Sequence, residues 1–234
     1  MHLFFDAQIT PDAITHFLTE EESLHACKVM RLKDGDSITV LNGKGLQVEA
    51  EIKKIHPKRC EIEIIKCIHF HIPDYDVHIA IAPTKMNDRL EWFVEKAIEI
   101  GITEISFLNC YNSERKHLNL ERIERIAIAA LKQSKRTYLP RINGMIDFNT
   151  FIDKHKNGFI AHCEESKKND LSDGFKGKNT PILIGPEGDF SSEEILFAMK
   201  NGYKPITLGS NRLRTETAGI VACVQAIALI TYQK

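Results

Sequence analysis

Two stretches concentrate the residues able to do chemistry. The first, Pro181-Ile182-Leu183-Ile184-Gly185-Pro186-Glu187-Gly188-Asp189, takes a short apolar run to a glycine and through a polar turn to Ser191-Ser192-Glu193-Glu194. The second, Leu208-Gly209-Ser210-Asn211-Arg212-Leu213-Arg214-Thr215-Glu216-Thr217, repeats the plan. A buried strand that ends in glycine lets a ligand approach the backbone, and the amides of a helix beginning just beyond it offer unpaired donors. A capping box of Ser191 and Glu194, with Ile195, Ala198 and Met199 as an apolar stripe, accounts for the helix after the first loop. It does not account for two glycines flanking Glu187, and Gly188 in particular reads as a place where ligand meets backbone. Arg212, Arg214, Thr215, Glu216 and Thr217 crowd polar groups into the mouth of an otherwise apolar terminal helix, where such groups usually serve a ligand. Arg214 there would present a rigid, permanently charged fork of donors, with an ion pair to Glu216 or Glu187 as its alternative use.

The elements that must position these loops alternate. From about His71-Ile72-Pro73-Asp74 onward, strands at Val77–Ala82, Thr103–Leu108, Phe159–Cys163, Ile182–Ile184 and Ile206–Leu208 are interleaved with helices, which predicts a mostly parallel sheet covered on both sides. One helix is predicted to start with Asp88 and Glu91 as a capping pair, to bury Leu90, Phe93, Val94, Ala97 and Ile98, and to stop at Gly101. A second, from about Leu120, puts Ile123, Ile126, Ala127, Ala130 and Leu131 on one face. The terminal helix is expected to bury Ala218, Val221, Ala222, Ala228 and Leu229, and Glu164 to Asn179 reads as a long exposed loop. The preceding seventy residues read differently: one helical segment at Glu20–Met30, then strands at Ser37–Leu41, Gln47–Ile52 and Cys60–Ile65 joined by Asp34-Gly35 and Asn42-Gly43 turns, enough for a small β-barrel. The domains are therefore expected at 1–71 and 72–234.

At 234 residues, 43% hydrophobic and 27% charged, the composition is that of an ordinary globular protein. No unbroken apolar run reaches eighteen residues, and the start lacks the pattern of a signal peptide, so a cytoplasmic protein with no membrane partner is expected. The six cysteines show no paired spacing and read as reduced thiols, and no metal site is expected. Net charge is −1, which argues against indiscriminate nucleic-acid binding. Locally, however, Arg115, Lys116, Arg122, Arg125, Lys132, Lys135 and Arg136 stand against Glu114, Glu121 and Glu124, a run that is either a solvated helix face or a set of phosphate contacts. A dinucleotide fold is disfavoured because Ala82-Pro83-Thr84-Lys85-Met86-Asn87 contains no glycine, and no Gly-Lys-Ser/Thr marks a P-loop.

Ile184-Gly185-Pro186-Glu187-Gly188, Leu208-Gly209 and Leu213-Arg214-Thr215-Glu216-Thr217-Ala218 together resemble the cofactor-binding signature of the SPOUT-class RNA methyltransferases, and within them the ribosomal RNA small subunit methyltransferase E family. The likeness extends along the chain, including Lys132-Gln133-Ser134. It departs from the family at Leu3, before Phe4-Phe5, where an arginine is common, and at Ala129, often Glu. The resemblance implies an α/β fold, a small N-terminal PUA-like β-barrel joined to a C-terminal α/β domain with a deep trefoil knot that periodicity alone cannot reveal. It implies S-adenosyl-L-methionine as cofactor, held by Ile184, Gly185, Glu187, Gly188, Leu208, Gly209, Leu213 and Thr215, with His162 a further candidate. It implies methylation of a uridine N3 in 16S rRNA within the assembled small ribosomal subunit, and a homodimer. On that reading the fixed fork of Arg214 is expected nearest the chemistry, facing the anion left on uridine, and Arg115, Lys132 and Arg136 of the basic run are expected as RNA contacts. A non-catalytic RNA-binding assembly factor is the alternative, which the doubled cofactor motif disfavours.

Overall fold

The computed structural model describes residues 2–178 and 180–232, so Asn179, the end of the expected long loop, and Met1 and Lys234, the ends of the expected domains, lie outside the described residues. The chain packs as two units: residues up to Pro73 with Leu131–Leu139, and Asp74–Ala130 with Pro140 onward.

The first unit is a five-stranded curled sheet of order β1-β3-β4-β5-β2, from β1 (His2–Phe5), β2 (Thr15–Phe17), β3 (Ser37–Leu41), β4 (Leu46–Lys54) and β5 (Glu61–His69). Alternation along β4 sends Leu46, Val48, Ala50 and Ile52 into a core with Phe4, Ile38, Val40 and Ile62. The expected helical segment is present as α1 (Glu20–Leu24), capped by Thr19, and a following π turn at His25–Val29. Buried Glu22 of α1 accepts from Phe5 N at 3.0 Å and from Lys132 Nζ at 2.7 Å. Residues 131–139 thereby join a unit whose other members end at Pro73.

The second unit is a six-stranded, all-parallel sheet of order β11-β9-β10-β6-β7-β8. Its strands are β6 (His78–Ile81), β7 (Glu104–Asn109), β8 (Arg141–Asp147), β9 (Gly158–Ala161), β10 (Ile182–Ile184) and β11 (Tyr203–Ile206), and its helices are α2 (Asn87–Ile100), α3 (Leu120–Ser134, whose last turn belongs to the first unit), α4 (Phe148–Lys154), α5 (Ser192–Lys200) and α6 (Thr215–Tyr232). The central strands β6 and β10 are buried throughout and apolar apart from His78 because both faces are covered. Ala80, Leu108, Ile160 and Leu183 form one core with α4 and α5. On the other face Gly219 of α6 lies so close to Phe93 of α2 that an added Cβ would stand 2.6 Å from its ring.

Some local readings need correction. α2 buries the predicted five residues and ends at Gly101, but it begins at Asn87 with no side-chain cap, and Glu91 instead pairs with Arg122 at 2.6 Å. The Ser191–Glu194 capping box forms, yet Met199 is 44% exposed and is not part of the buried stripe. α6 is apolar on every side, so periodicity cannot select a face: Thr215, Glu216, Gly219, Ala222, Cys223 and Ala226 are buried, while Ala218, Val221, Ala228 and Leu229 are only partly covered. By length and composition α6 alone, among the described residues, could cross a membrane, although no unbroken apolar run produces this; one third of it is buried here.

A buried polar cluster lies toward the opposite edge of this sheet from the glycine loops. His78 Nε2 is 2.8 Å from Ser106 Oγ, its ring abuts Phe151 and His155, and Nδ1 is 4.0 Å from Glu104. Burial, offset only in part by Glu104, lowers its pKa from 6.5 to about 4. As pH falls below about 6.5 the unfolded chain therefore takes up this proton while the folded protein does not. Folding stability should be full above that value and should fall by about 3 kcal/mol on the way to pH 4. Thermal melting from pH 7.5 to 4.5 is expected to show this loss, and His78→Gln to flatten it; parallel curves would place the acid sensitivity elsewhere.

Candidate functional site

The strand registers align Ile81, Ala161, Ile184 and Ile206 at one edge of the sheet, where β6, β9, β10 and β11 all end. Because β7 and β8 extend the sheet in one direction from β6 and the later strands in the other, this edge contains a switch point of the topology, where ligands bind open α/β sheets. Three loops leave the edge there: 162–163 after β9, 185–191 after β10 and 207–214 after β11. Between them is a cleft of two adjoining lobes, about 400 and 350 Å³, which share Ala161, Cys163, Arg212, Leu213 and Ala218.

The larger lobe is lined by His162, Leu208 and Gly209, and the smaller by Ile184, Gly185, Glu187, Arg214 and Thr215, with Leu213 on both. All the predicted cofactor residues but one thus meet in a single cleft. Gly188 lines neither lobe. A Cβ there would stand 3.1 Å from the Cβ of Asn112, whose Nδ2 donates to the carbonyls of Gly188 and Asp189 at 3.1 Å each. The second glycine of the motif makes room for a neighbouring turn, which corrects the reading of open space for a ligand. Open space is found at Gly209, where nothing among the described residues lies within 4 Å of an added Cβ and φ is +136°.

The loops are tied to one another. Thr215 Oγ1 donates to Gly185 O at 3.1 Å, fastening the start of α6 to the first glycine. Asp189, at φ +63°, accepts from Cys163 N at 2.6 Å and so joins the loops after β9 and β10. Glu187 accepts from Lys85 N at 2.9 Å. The two carboxylates proposed as partners for Arg214 are engaged elsewhere, Glu187 with Lys85 N and Glu216 with Arg89 at 3.7 Å. Arg214 is exposed and, among the described residues, forms no ion pair.

His162 is 8% exposed, and among the described residues neither ring nitrogen has a hydrogen-bond partner. Burial, reinforced by Lys168, holds its pKa below the usual histidine range, so the ring is neutral at pH 7 and offers one donor and one acceptor. A buried polar atom left unmatched at the wall of a cleft is one that a ligand or a water molecule can complete. Apolar walls at Ile206, Leu208 and Leu213, an open glycine and an unmatched imidazole make this lobe suited to a flat, polar-edged group such as a purine nucleoside.

The basic run is largely committed. Arg115 Nε donates to Thr84 O at 2.9 Å, and its other nitrogens bond Lys85 O and Asn87 Oδ1. Arg122 grips Glu91 with two hydrogen bonds, and Lys132 is held by Glu22. Arg136 is half-buried near the end of the run. Sequence reasoning passed over Asp189, Asn112 and the second duty of Glu194. Only Asp189 carried a local signal, an acid following glycine at a position where aspartate tolerates positive φ.

The chain contains a curled β-sheet unit and a parallel α/β unit with a nucleoside-sized cleft at its strand ends. The family model for the RNA methyltransferase domain matches residues 72–227, and that for the RNA methyltransferase PUA domain matches 18–65. The protein called ribosomal RNA small subunit methyltransferase E in Mesomycoplasma hyopneumoniae is 32% identical over 90% of this chain and 93% of its own, and that of Buchnera aphidicola is 30% identical over 88% and 85%. Among solved structures, one described as a probable rRNA-methyltransferase from Porphyromonas gingivalis is 37% identical, with a TM-score of 0.90 and full coverage of both chains. One described as a methyltransferase of Legionella pneumophila with bound SAM is 26% identical, with a TM-score of 0.87 over 97% of this chain and 96% of that one. The chain belongs to the ribosomal RNA small subunit methyltransferase E family.

Proposed function

We propose that the protein transfers a methyl group from S-adenosyl-L-methionine to N3 of a uridine in 16S rRNA within the small ribosomal subunit. The observation that carries this reading is the cleft itself, where both signature loops converge on an unmatched histidine and an open glycine in a chain of this family. When bound, S-adenosylmethionine supplies an electrophilic methyl group that needs no metal. Ile184, Gly185, Leu208, Gly209, Leu213 and His162 would hold it, Thr215 would keep the two loops together, and Glu187 would shape the mouth. Arg214, exposed and lining the same cleft, would face the charge that spreads onto the uridine carbonyl oxygens as N3 loses its proton to water. Incubation of unmodified small subunits with labelled cofactor should place the label in N3-methyluridine. Label at another atom would overturn the position assigned, and absence of both transfer and cofactor binding by calorimetry would favour the assembly-factor reading.

We assign RNA docking to the first unit, Met1–Pro73 with Leu131–Leu139, and methyl transfer to the second, whose last helix we read as the threaded segment of a trefoil knot. A homodimer working in the cytoplasm is part of the proposal, supported by apolar side chains left open on α6 and α2, including Val224 and Trp92. Among the candidate RNA contacts, Arg136→Ala should lower the salt slope of RNA binding by about one unit. Arg115→Ala should instead cost about 1–3 kcal/mol of stability, since its donors hold backbone carbonyls. Salt titrations and melting curves on the two variants check this; the reverse pattern would exchange their roles.

A further inference from the structure

The second unit has a larger cavity, about 760 Å³, at the same edge of the sheet. It lies where β7 and β8 end, with Asn109 Nδ2 donating to Asp147 Oδ1 at 2.8 Å, and it reaches Thr150 in the first turn of α4 and Glu193 on α5. At its rim Tyr111 is 79% exposed. The backbone under this ring is nevertheless held firmly. Glu194 Oε1 accepts from Tyr111 N at 2.8 Å, Ser113 Oγ accepts from Cys110 N at 3.0 Å, and Asn112 bonds the cofactor-loop carbonyls of Gly188 and Asp189. The turn is fastened to α5 on one side and to the cofactor loop on the other while its aromatic face stays open. Such a platform loses little conformational freedom when a flat partner stacks on it.

The walls select the partner. Acids outnumber the single cation, Lys116, whose Nζ lies 3.2 Å from Asn109 Oδ1 and 3.5 Å from Cys110 O. The capping box occupies the amides of Ser191 and Glu194, so the start of α5 has fewer free donors for an anion. The cavity is therefore poor for phosphate. Carboxylate and amide groups beside an aromatic face suit the edge of a nucleobase with an exocyclic amine. We propose that this cavity receives an unstacked base of the substrate RNA, a neighbour of the target nucleotide, stacked on Tyr111 and read at its edge by Asp147 and Asn109. The inference rests on the RNA methyl-transfer reading above, with the target entering the cleft and its neighbour lodging in this cavity.

Tyr111→Ala is expected to raise KM for unmodified small subunits about tenfold or more, with kcat and S-adenosylmethionine affinity little changed. Tyr111→Phe should behave as the parent, because stacking needs only the ring. Thr150→Trp, on an exposed helical turn, should fill the cavity and reproduce the KM effect with Tyr111 in place. A photo-crosslinking side chain at position 111 should attach to rRNA when illuminated with subunits. An unchanged KM in both Tyr111→Ala and Thr150→Trp, or crosslinks to ribosomal protein alone, would overturn the proposal. The crosslink does not depend on methyl transfer, so failure of the wild type to methylate would sink the proposed function while an rRNA crosslink at 111 still supported the base site.

Discussion

Arg214→Lys is expected to bind S-adenosylmethionine as the parent does and to transfer methyl about 10²-fold or more slowly. Uridine N3 keeps its proton at neutral pH, and its loss spreads negative charge onto the two flanking carbonyl oxygens. A guanidinium opposite them stabilises that charge with two donors in a fixed plane, which an ammonium on a flexible stem does not reproduce. Removing one preorganised donor from a developing anion costs about 10²–10³ in rate. The surroundings of Arg214 favour this use, since Glu187 and Glu216 are engaged by Lys85 N and Arg89. Single-turnover methylation of unmodified subunits, with calorimetry for the cofactor, is the measurement. A near-parental rate would reduce Arg214 to a scaffold of its loop.

The second large effect is expected at Gly209. Gly209→Val should weaken S-adenosylmethionine binding by about 10²-fold or more while the protein still folds. Two causes act together. The backbone at φ +136° is one that a branched residue adopts only with strain of about 1–3 kcal/mol, and the new side chain would project into the open lobe. Gly188→Val makes the contrasting control, because its side chain meets Asn112 rather than the lobe. Its loss of affinity should be smaller than that of Gly209→Val and accompanied by a lower melting temperature as the 110–113 turn is displaced. If calorimetry ranks the two variants the other way, the ligand contacts Gly188 and not Gly209.

Much of this site was legible because its signals are local. A glycine after an apolar run, a serine three residues before a glutamate, and an arginine ahead of a terminal helix are all visible within a dozen residues, and the structure gathers most of them in one cleft. What escaped depends on distance along the chain. Glu194 bonds Tyr111 N across 83 positions, and Asn112 reaches Asp189 across 77, so neither role can be seen in a window of sequence. Lys132 looked available for RNA until Glu22, 110 residues earlier, was found against it. Two edge strands escaped for a different reason. β2 has three residues, and β8 contains Asn143 and Gly144, so neither shows the alternation or unbroken apolarity by which strands are recognised.

The strand order also has a consequence for synthesis of the protein. β10, residues 182–184, lies between β9 and β6, so the two halves of the six-stranded sheet cannot join until some four-fifths of the chain has left the ribosome. Until then β6 presents an unpaired edge to the cell, and the N-terminal unit is complete only once Leu131–Leu139 have been made. Both lobes of the cleft need Leu213 and Ala218, which are made later still. Pairings this remote are slow to form, so refolding should be slow for a chain of this length and partial chains should depend on chaperones. The nascent enzyme acquires its binding cleft only as the last helix emerges, and no fragment that ends before that helix contains both walls of the cleft.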